Sequence, residues 1–389
     1  MSRRIESSRR IARGQIGSSP IGSSPIGKRG RLGAVLSSGL VLFFAGACAG
    51  TGEQGSSEAS SRTSDPVAPE LQVKQAAALF GPLPEAATTP DNPLSEAKTD
   101  LGRLLYYDAR LSKNHDISCN SCHPLDRFGA DGEPTSPGHL RQRGDRNSPS
   151  VYNAALHVAQ FWDGRAPDVE AQAKGPVLNP VEMASASDEQ VVAILQSIPG
   201  YAGAFEKAFP EDPEPISFDN MAKAIGAFER KLMTPGRFDR FVQGDPQALD
   251  ADERRGLETF VAVGCASCHM GPAVGGSFFR KLGLVFPYET EDPGREKVTG
   301  EASDRHVFKV PSLRNVAETG PWFHDGSIES LGEAVRLMAY HQLGRELDDP
   351  QVAEIVVFLE SLTGEVDEAY VARPELPPSG PNTPAPDPS

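Results

Sequence analysis

Apolar residues in the second half of the chain recur at helical spacing, and polar capping residues stand in front of them. Ser187-x-x-Gln190 precedes Val191, Ile194, Leu195 and Ile198 on one face, the pattern of a capping box opening an amphipathic helix. Ser217 leads into Met221, Ile225, Phe228 and Leu232. Asp250-x-x-Glu253 leads into Leu257, Phe260 and Val261, and Ser330-x-x-Glu333 into Val335 and Met338, each a predicted helix start. Asp349-Pro350 begins another helix carrying Val352, Ile355, Val356 and Leu359, with Gly364 as its stop. Alternation of period two is nearly absent, so the predicted fold class is mainly α.

The flanks read differently. Residues 1–49 have the anatomy of an export signal: Arg3, Arg4, Arg9, Arg10, Arg13, Lys28, Arg29 and Arg31 precede an apolar run from Leu32 to Ala47. That run is too short and interrupted for a transmembrane helix. Cys48 closes it and has two readings. It is either an acylated lipoprotein cysteine that tethers the protein to a membrane or an incidental residue beside ordinary cleavage near Ala47. Residues 50–92 are rich in Ser, Pro and Ala and read as a flexible linker. Residues 367–389 read as a disordered Pro-rich tail.

The chain has 389 residues and a formal net charge of −15. Its length suffices for two or three cores. Its acidity argues against nucleic acid as a partner, and losing the basic leader makes the remainder more acidic still.

One internal repeat changes the picture. Cys119-Asn-Ser-Cys122-His123 and Cys265-Ala-Ser-Cys268-His269 are two copies of Cys-x-x-Cys-His, the attachment signature of c-type haem. The two thiols suit the two vinyl groups of one haem, and the adjacent imidazole suits the iron. His123 and His269 are therefore the predicted proximal ligands. Two haem domains follow, at 93–235 and 236–366. For the far side of each iron the residues leave His115, His139, His157, His306, His324 and His341 open, with Met183, Met221, Met233, Met270 and Met338.

Four further segments narrow the choice. Leu101-Gly-Arg-Leu-Leu-Tyr-Tyr-Asp108, Gln160-Phe-Trp-Asp-Gly-Arg165, Phe308-Lys-Val-Pro-Ser-Leu-Arg-Asn315 and His324-Asp-Gly-Ser327 resemble the bacterial di-haem cytochrome c peroxidase family, in order, from about residue 93 to 364. The resemblance implies two cytochrome c-like haem domains packed across an interface, the first peroxidatic and the second for electron transfer. It implies that His139 is a releasable distal ligand of the first haem and that Gln172 and Glu182 are its distal-pocket pair. Trp162 would lie between the haems, and Met338 would be the sixth ligand of the second. Asn147, with backbone oxygens of Thr319 and Pro321, would hold calcium. His324 would support the surroundings of the second haem without binding iron.

The function so implied is reduction of hydrogen peroxide to water in the periplasm, with electrons from a small cytochrome c or a cupredoxin, whose basic surface would suit this acidic chain. Relatives of this kind often form homodimers, though no dimer interface can be read from the residues. In some of them reduction of the second haem releases the distal histidine; others work fully oxidised, and both stay open here. Two other readings compete. A haem oxidase that modifies a partner protein would carry tyrosine where Met338 stands. A non-enzymatic di-haem electron-transfer cytochrome would have no use for Gln172 and Glu182.

Overall fold

The computed structural model describes residues 69–389, so the leader and Cys48 lie outside the described residues. Helices dominate. They run α1 (Pro69–Leu79), α2 (Glu96–Tyr107), α3 (Cys119–Cys122), α4 (Val169–Leu178), α5 (Asp188–Ser197), α6 (Pro199–Ala208) and α7 (Phe218–Glu229). There follow α8 (Arg237–Val242), α9 (Ala251–Val263), α10 (Glu296–Thr299), α11 (Leu331–Leu343), α12 (Asp349–Glu360) and α13 (Glu368–Val371). Two short strands, β1 (Phe279–Lys281) and β2 (Val307–Lys309), pair antiparallel with Phe279 opposite Lys309.

The predicted caps act at the helix starts. Ser187, Ser217 and Ser330 each accept from the backbone N–H three residues on, and Asp250 and Glu253 form a reciprocal box. At α5 the return half of the box is displaced by one residue, because Gln190 Oε1 accepts from Ala186 N. The last helix also differs slightly: Asp348, not Asp349, is its cap, and it ends at Glu360. Gly364 instead allows close packing, since a Cβ there would run into the Thr234 carbonyl.

Two hydrophobic cores form. One gathers Leu101, Leu105, Tyr106, Ile194, Leu195, Tyr201, Phe205, Ile225 and Phe228, and the other Phe238, Phe241, Leu257, Phe260, Ile355, Phe358 and Leu359. Each is built on one close helix crossing. A Cβ at Gly102 in α2 would strike the Ala224 carbonyl of α7, and one at Gly256 in α9 would strike the Glu354 carbonyl of α12. Glycine lets the backbones meet and bury the apolar stripes of both partners.

The two ends of the described chain depart from expectation. Helix α1 lies within the segment read as linker, and its Val73 and Ala76, with Phe80 just beyond, are buried in the second core. The segment read as a disordered tail runs along the first half. Tyr107 Oη donates to Val371 O at 2.6 Å, Arg110 Nη1 donates to Pro377 O at 2.9 Å, and Asp387 N donates to Lys113 O at 3.0 Å. A proline-rich strand has few N–H groups to satisfy, and its carbonyls accept from side chains of the domain. Such fixing is invisible to composition.

The halves meet through paired polar groups. Arg146 donates to Asp163 at 2.6 Å and reaches Asp292 of the second half at 2.7 and 2.8 Å. At the crossover, Thr234 Oγ1 accepts from Asn153 Nδ2 of the first half and Asn315 Nδ2 of the second, both at 2.9 Å.

Candidate functional site

Each Cys-x-x-Cys-His segment lines its own cavity. The first, about 1040 Å³, is walled by Cys119, Cys122, His123, Gln172, Glu182, Trp162 and Glu229. The second, about 250 Å³, is walled mainly by apolar residues, with Cys265, Cys268, His269 and Met338 among them. Trp162, Asn147, Phe161 and His324 belong to both walls, so the partition between the cavities is one side chain thick in places. The Trp162 indole is fixed there by donating to Asn147 O at 2.9 Å.

The walls fit two haem groups. The histidines are buried and therefore neutral, the form that binds iron. Burial pulls His123 below its ordinary value, and His269 down to about 4, against a partial lift from the backbone at Val274 and Pro311. Burial also pushes Cys122 up to about 11 and Cys265 to about 12, so these are unreactive thiols unless chemically engaged.

The surroundings of the two histidines repeat. His123 Nδ1 lies 3.3 Å from Gly129 O, and Ser150 Oγ donates to Phe128 O at 2.6 Å. In the second half Ser312 Oγ donates to Ala273 O at 2.6 Å, next to Val274. The serines belong to Pro149-Ser-Val-Tyr-Asn153 and Pro311-Ser-Leu-Arg-Asn315. Both asparagines are fully buried at positive φ, 60° and 59°, and open a short 3₁₀ turn. This second repeat, Pro-Ser-x-x-Asn, braces the loop after each histidine; a backbone carbonyl meets the His123 ring, whereas His269 Nδ1 is buried without a hydrogen-bond partner among the described residues. Aligning the chain against itself beyond the cysteine motifs would have found this repeat.

Glu182 stands in the turn after α4. Burial raises its carboxyl above the ordinary range, while Arg165 and the Asn179 amide, at 2.9 Å, oppose the rise. Gln172 projects from α4, whose cap Asp168 accepts from Ala171 N at 2.7 Å. Glu229, at the end of α7, was not singled out from sequence. It is 4% exposed, lines the first cavity, and burial, with Glu170 adding, pushes it up to about 8.

His139 is not brought to the cavity wall. Its backbone N donates to Glu182 O at 2.7 Å, and Gly138 packs against Val181 and Glu182, but its Nε2 lies 3.1 Å from Ser389 O. The neighbouring Leu140 and Arg141 have φ of 54° and 60°, with Leu140 62% exposed, a strained loop turned toward the tail. Among the other open candidates, Met221 and Met233 are buried in packing and Met270 is exposed, whereas Met183 is buried at the wall of the first cavity and Met338 on α11 is part-buried at the second. Asn147, Thr319 and Pro321 all line that second cavity. His324 is buried beside them, with Nε2 3.1 Å from Thr290 Oγ1.

Comparison with known proteins agrees with this architecture. Residues 96–247 match the family described as di-haem cytochrome c peroxidase. The chain is 47% identical over 319 residues to cytochrome c551 peroxidase of Pseudomonas aeruginosa, covering 80% of this chain and 91% of that one. It is 47% identical over 306 residues to cytochrome c551 peroxidase of Nitrosomonas europaea, covering 77% and 89%. Among solved structures, a MauG-like protein associated with microbial copper homeostasis superposes with a TM-score of 0.67 at 30% identity, over 75% of this chain and 97% of that one. With two haem cavities joined at Trp162, the chain belongs to the di-haem cytochrome c peroxidase family and is a peroxidase.

Proposed function

We propose that hydrogen peroxide is reduced to water in the first cavity, with electrons that enter at the second from a small cytochrome c or cupredoxin. One observation carries the assignment: Glu182 and Gln172 line the same cavity as Cys119, Cys122 and His123, so a proton-transferring carboxyl opens onto the space that the His123 imidazole also lines. Each turnover breaks one O–O bond, takes up two electrons from the donor and two protons from water, and releases two waters. Bound haem supplies the redox metal at each cavity.

The remaining steps belong to the chain. Glu182, as carboxylate, accepts the proton of the incoming peroxide and returns it to the departing oxygen. Its raised value narrows the gap to that donor and acceptor. Gln172 holds the oxygen species without changing charge. Trp162 fills the partition between the cavities, where a large π-system shortens the electron path. The four motif cysteines would form the thioethers to haem, and His123 and His269 would hold its iron. Met338 would add a thioether at the second site, which favours the reduced state relative to a second imidazole. His139 is the releasable residue of the first site. Asn147 Oδ1 and the carbonyls of Thr319 and Pro321 form an oxygen set of the kind calcium takes. The leader and Cys48 suit a periplasmic protein tethered by lipid, and the family resemblance suits a homodimer.

The test is peroxide-dependent oxidation of a reduced small c-type cytochrome, with and without prior ascorbate treatment of the two-haem protein. Turnover in at least one state is expected, and turnover confined to the pre-reduced state would support His139 as a redox-released gate. No turnover in either state, with both haems present, would favour the electron-transfer or protein-modifying reading.

A further inference from the structure

Lys309 and His157 form a polar pair that the peroxidase chemistry does not use. Lys309 closes β2 and is only 6% exposed, yet it lines the second cavity. Its Nζ lies 3.1 Å from His157 Nδ1 and donates to Ala159 O at 2.9 Å. Among the described residues no carboxylate comes within ion-pairing distance of it. Burial pulls Lys309 down to about 8, against a partial lift from Asp163, which does not pair with it directly, so an anion placed at its Nζ would stabilise the ammonium.

His157 completes the arrangement. Its ring also lines the second cavity, and its Nε2 is buried without a hydrogen-bond partner. Because Nδ1 faces the Lys309 ammonium it must accept, which leaves the proton on Nε2. The pair therefore offers two unspent donors, a charged one and a neutral one, at one cavity wall. Gly276 holds the ring in place, since a Cβ there would run into it. The other buried cation on this wall, Arg314, is already matched to Asp239 at 2.7 and 2.9 Å.

We propose that Lys309 and His157 form a carboxylate clasp that takes a propionate side chain of the second haem and sets that haem's reduction potential. This rests on the haem reading of the cavity and adds the residues that hold the haem's acidic edge. The chemistry fits on both sides. The propionate gains an ammonium and an N–H in a dry site, where charge-assisted hydrogen bonds are strong. The ammonium gains the counter-charge it lacks. The clasp also lies on the electron path, because Lys309 N donates to Trp162 O at 2.8 Å. An uncompensated propionate would favour the oxidised, more positive iron, so the clasp keeps the second haem easier to reduce.

The experiment uses the purified two-haem protein, with haem counted per chain before each titration. Spectroelectrochemical titration at pH 7 follows the two haems of wild type, Lys309→Met and Lys309→Arg. Lys309→Met is expected to move the second haem's reduction equilibrium at least tenfold toward the oxidised form, about 59 mV for a one-electron couple, leaving the first haem in place. Lys309→Arg, which keeps the charge, should stay close to the wild-type potential, and His157→Phe should give a smaller shift of the same sign as Lys309→Met. Two haems per chain with an unchanged second potential in Lys309→Met would overturn the clasp while leaving the haem reading intact. A wild-type chain that carries no haem would overturn both.

Discussion

At the residue scale, the first cavity pairs two carboxyls of different function. Glu182 has a hydrogen-bond partner in Asn179 and an opposing cation in Arg165, whereas Glu229 is held neutral by burial. A folded-state value of about 8 against the ordinary 4.5 means that the folded chain binds a proton there that the unfolded chain has lost. This contribution to stability is fully present below about pH 4.5 and is lost as pH rises toward 8. Glu229→Gln should therefore flatten the fall in thermal midpoint over that interval, as read by calorimetry at a series of pH values. An unchanged pH slope would show that Glu229 stays ionised in the fold.

Legibility also divides at this scale. The two copies of Cys-x-x-Cys-His could be read from spacing alone as a haem-attachment signature, and each copy lines a cavity of its own. Glu229 could not, since nothing in Ala-Phe-Glu-Arg distinguishes a cavity acid from a solvated one. His139 shows a different limit. Its backbone lies against Glu182, but its ring meets Ser389, 250 residues away in sequence.

At the element scale, stability rests on the two glycine crossings. Gly102→Ala would force the Ala224 carbonyl away, and α7 carries Glu229 and the end of the first core. Overpacking of this kind typically costs about 1–3 kcal/mol, more where rigid backbone must move. Denaturant melts of Gly102→Ala and Gly256→Ala should show losses of at least that size. A change below about 0.5 kcal/mol in either would mean that the helix pair is looser than its packing. The helices themselves were legible because their caps are local: Ser187, Ser217, Asp250 and Ser330 each bond within three residues. Helix α1 was not, because it gains its burial from Phe238 and Phe241, far along the chain. The tail was misread for the same reason, its partners being Tyr107, Arg110 and Lys113.

Across the whole molecule, the ends are exchanged. The first described helix completes the second core, and the last segment straps the first half. Thr234 joins the halves at their crossover, receiving one amide from each. Thr234→Val would leave the buried Asn153 and Asn315 amides each short of an acceptor, at about 1–3 kcal/mol per group. The expected outcome is a lower thermal midpoint together with weaker coupling between the halves, seen as separation of the two haem-band melting transitions. A single transition at the wild-type midpoint would rule out Thr234 as the joint. The same architecture gives the proposed function its order: electrons would arrive at the cavity of Met338 and His269, cross at Trp162, and meet peroxide beside Glu182.

The most direct test of that account is peroxide turnover by Glu182→Gln with both haems bound and reduced donor in excess. Loss of a positioned proton-transfer group predicts a fall of about 10²–10⁴-fold in kcat/KM, with electron transfer from donor to the second haem unchanged. Turnover equal to that of wild type would contradict the assignment of peroxide chemistry to this carboxyl.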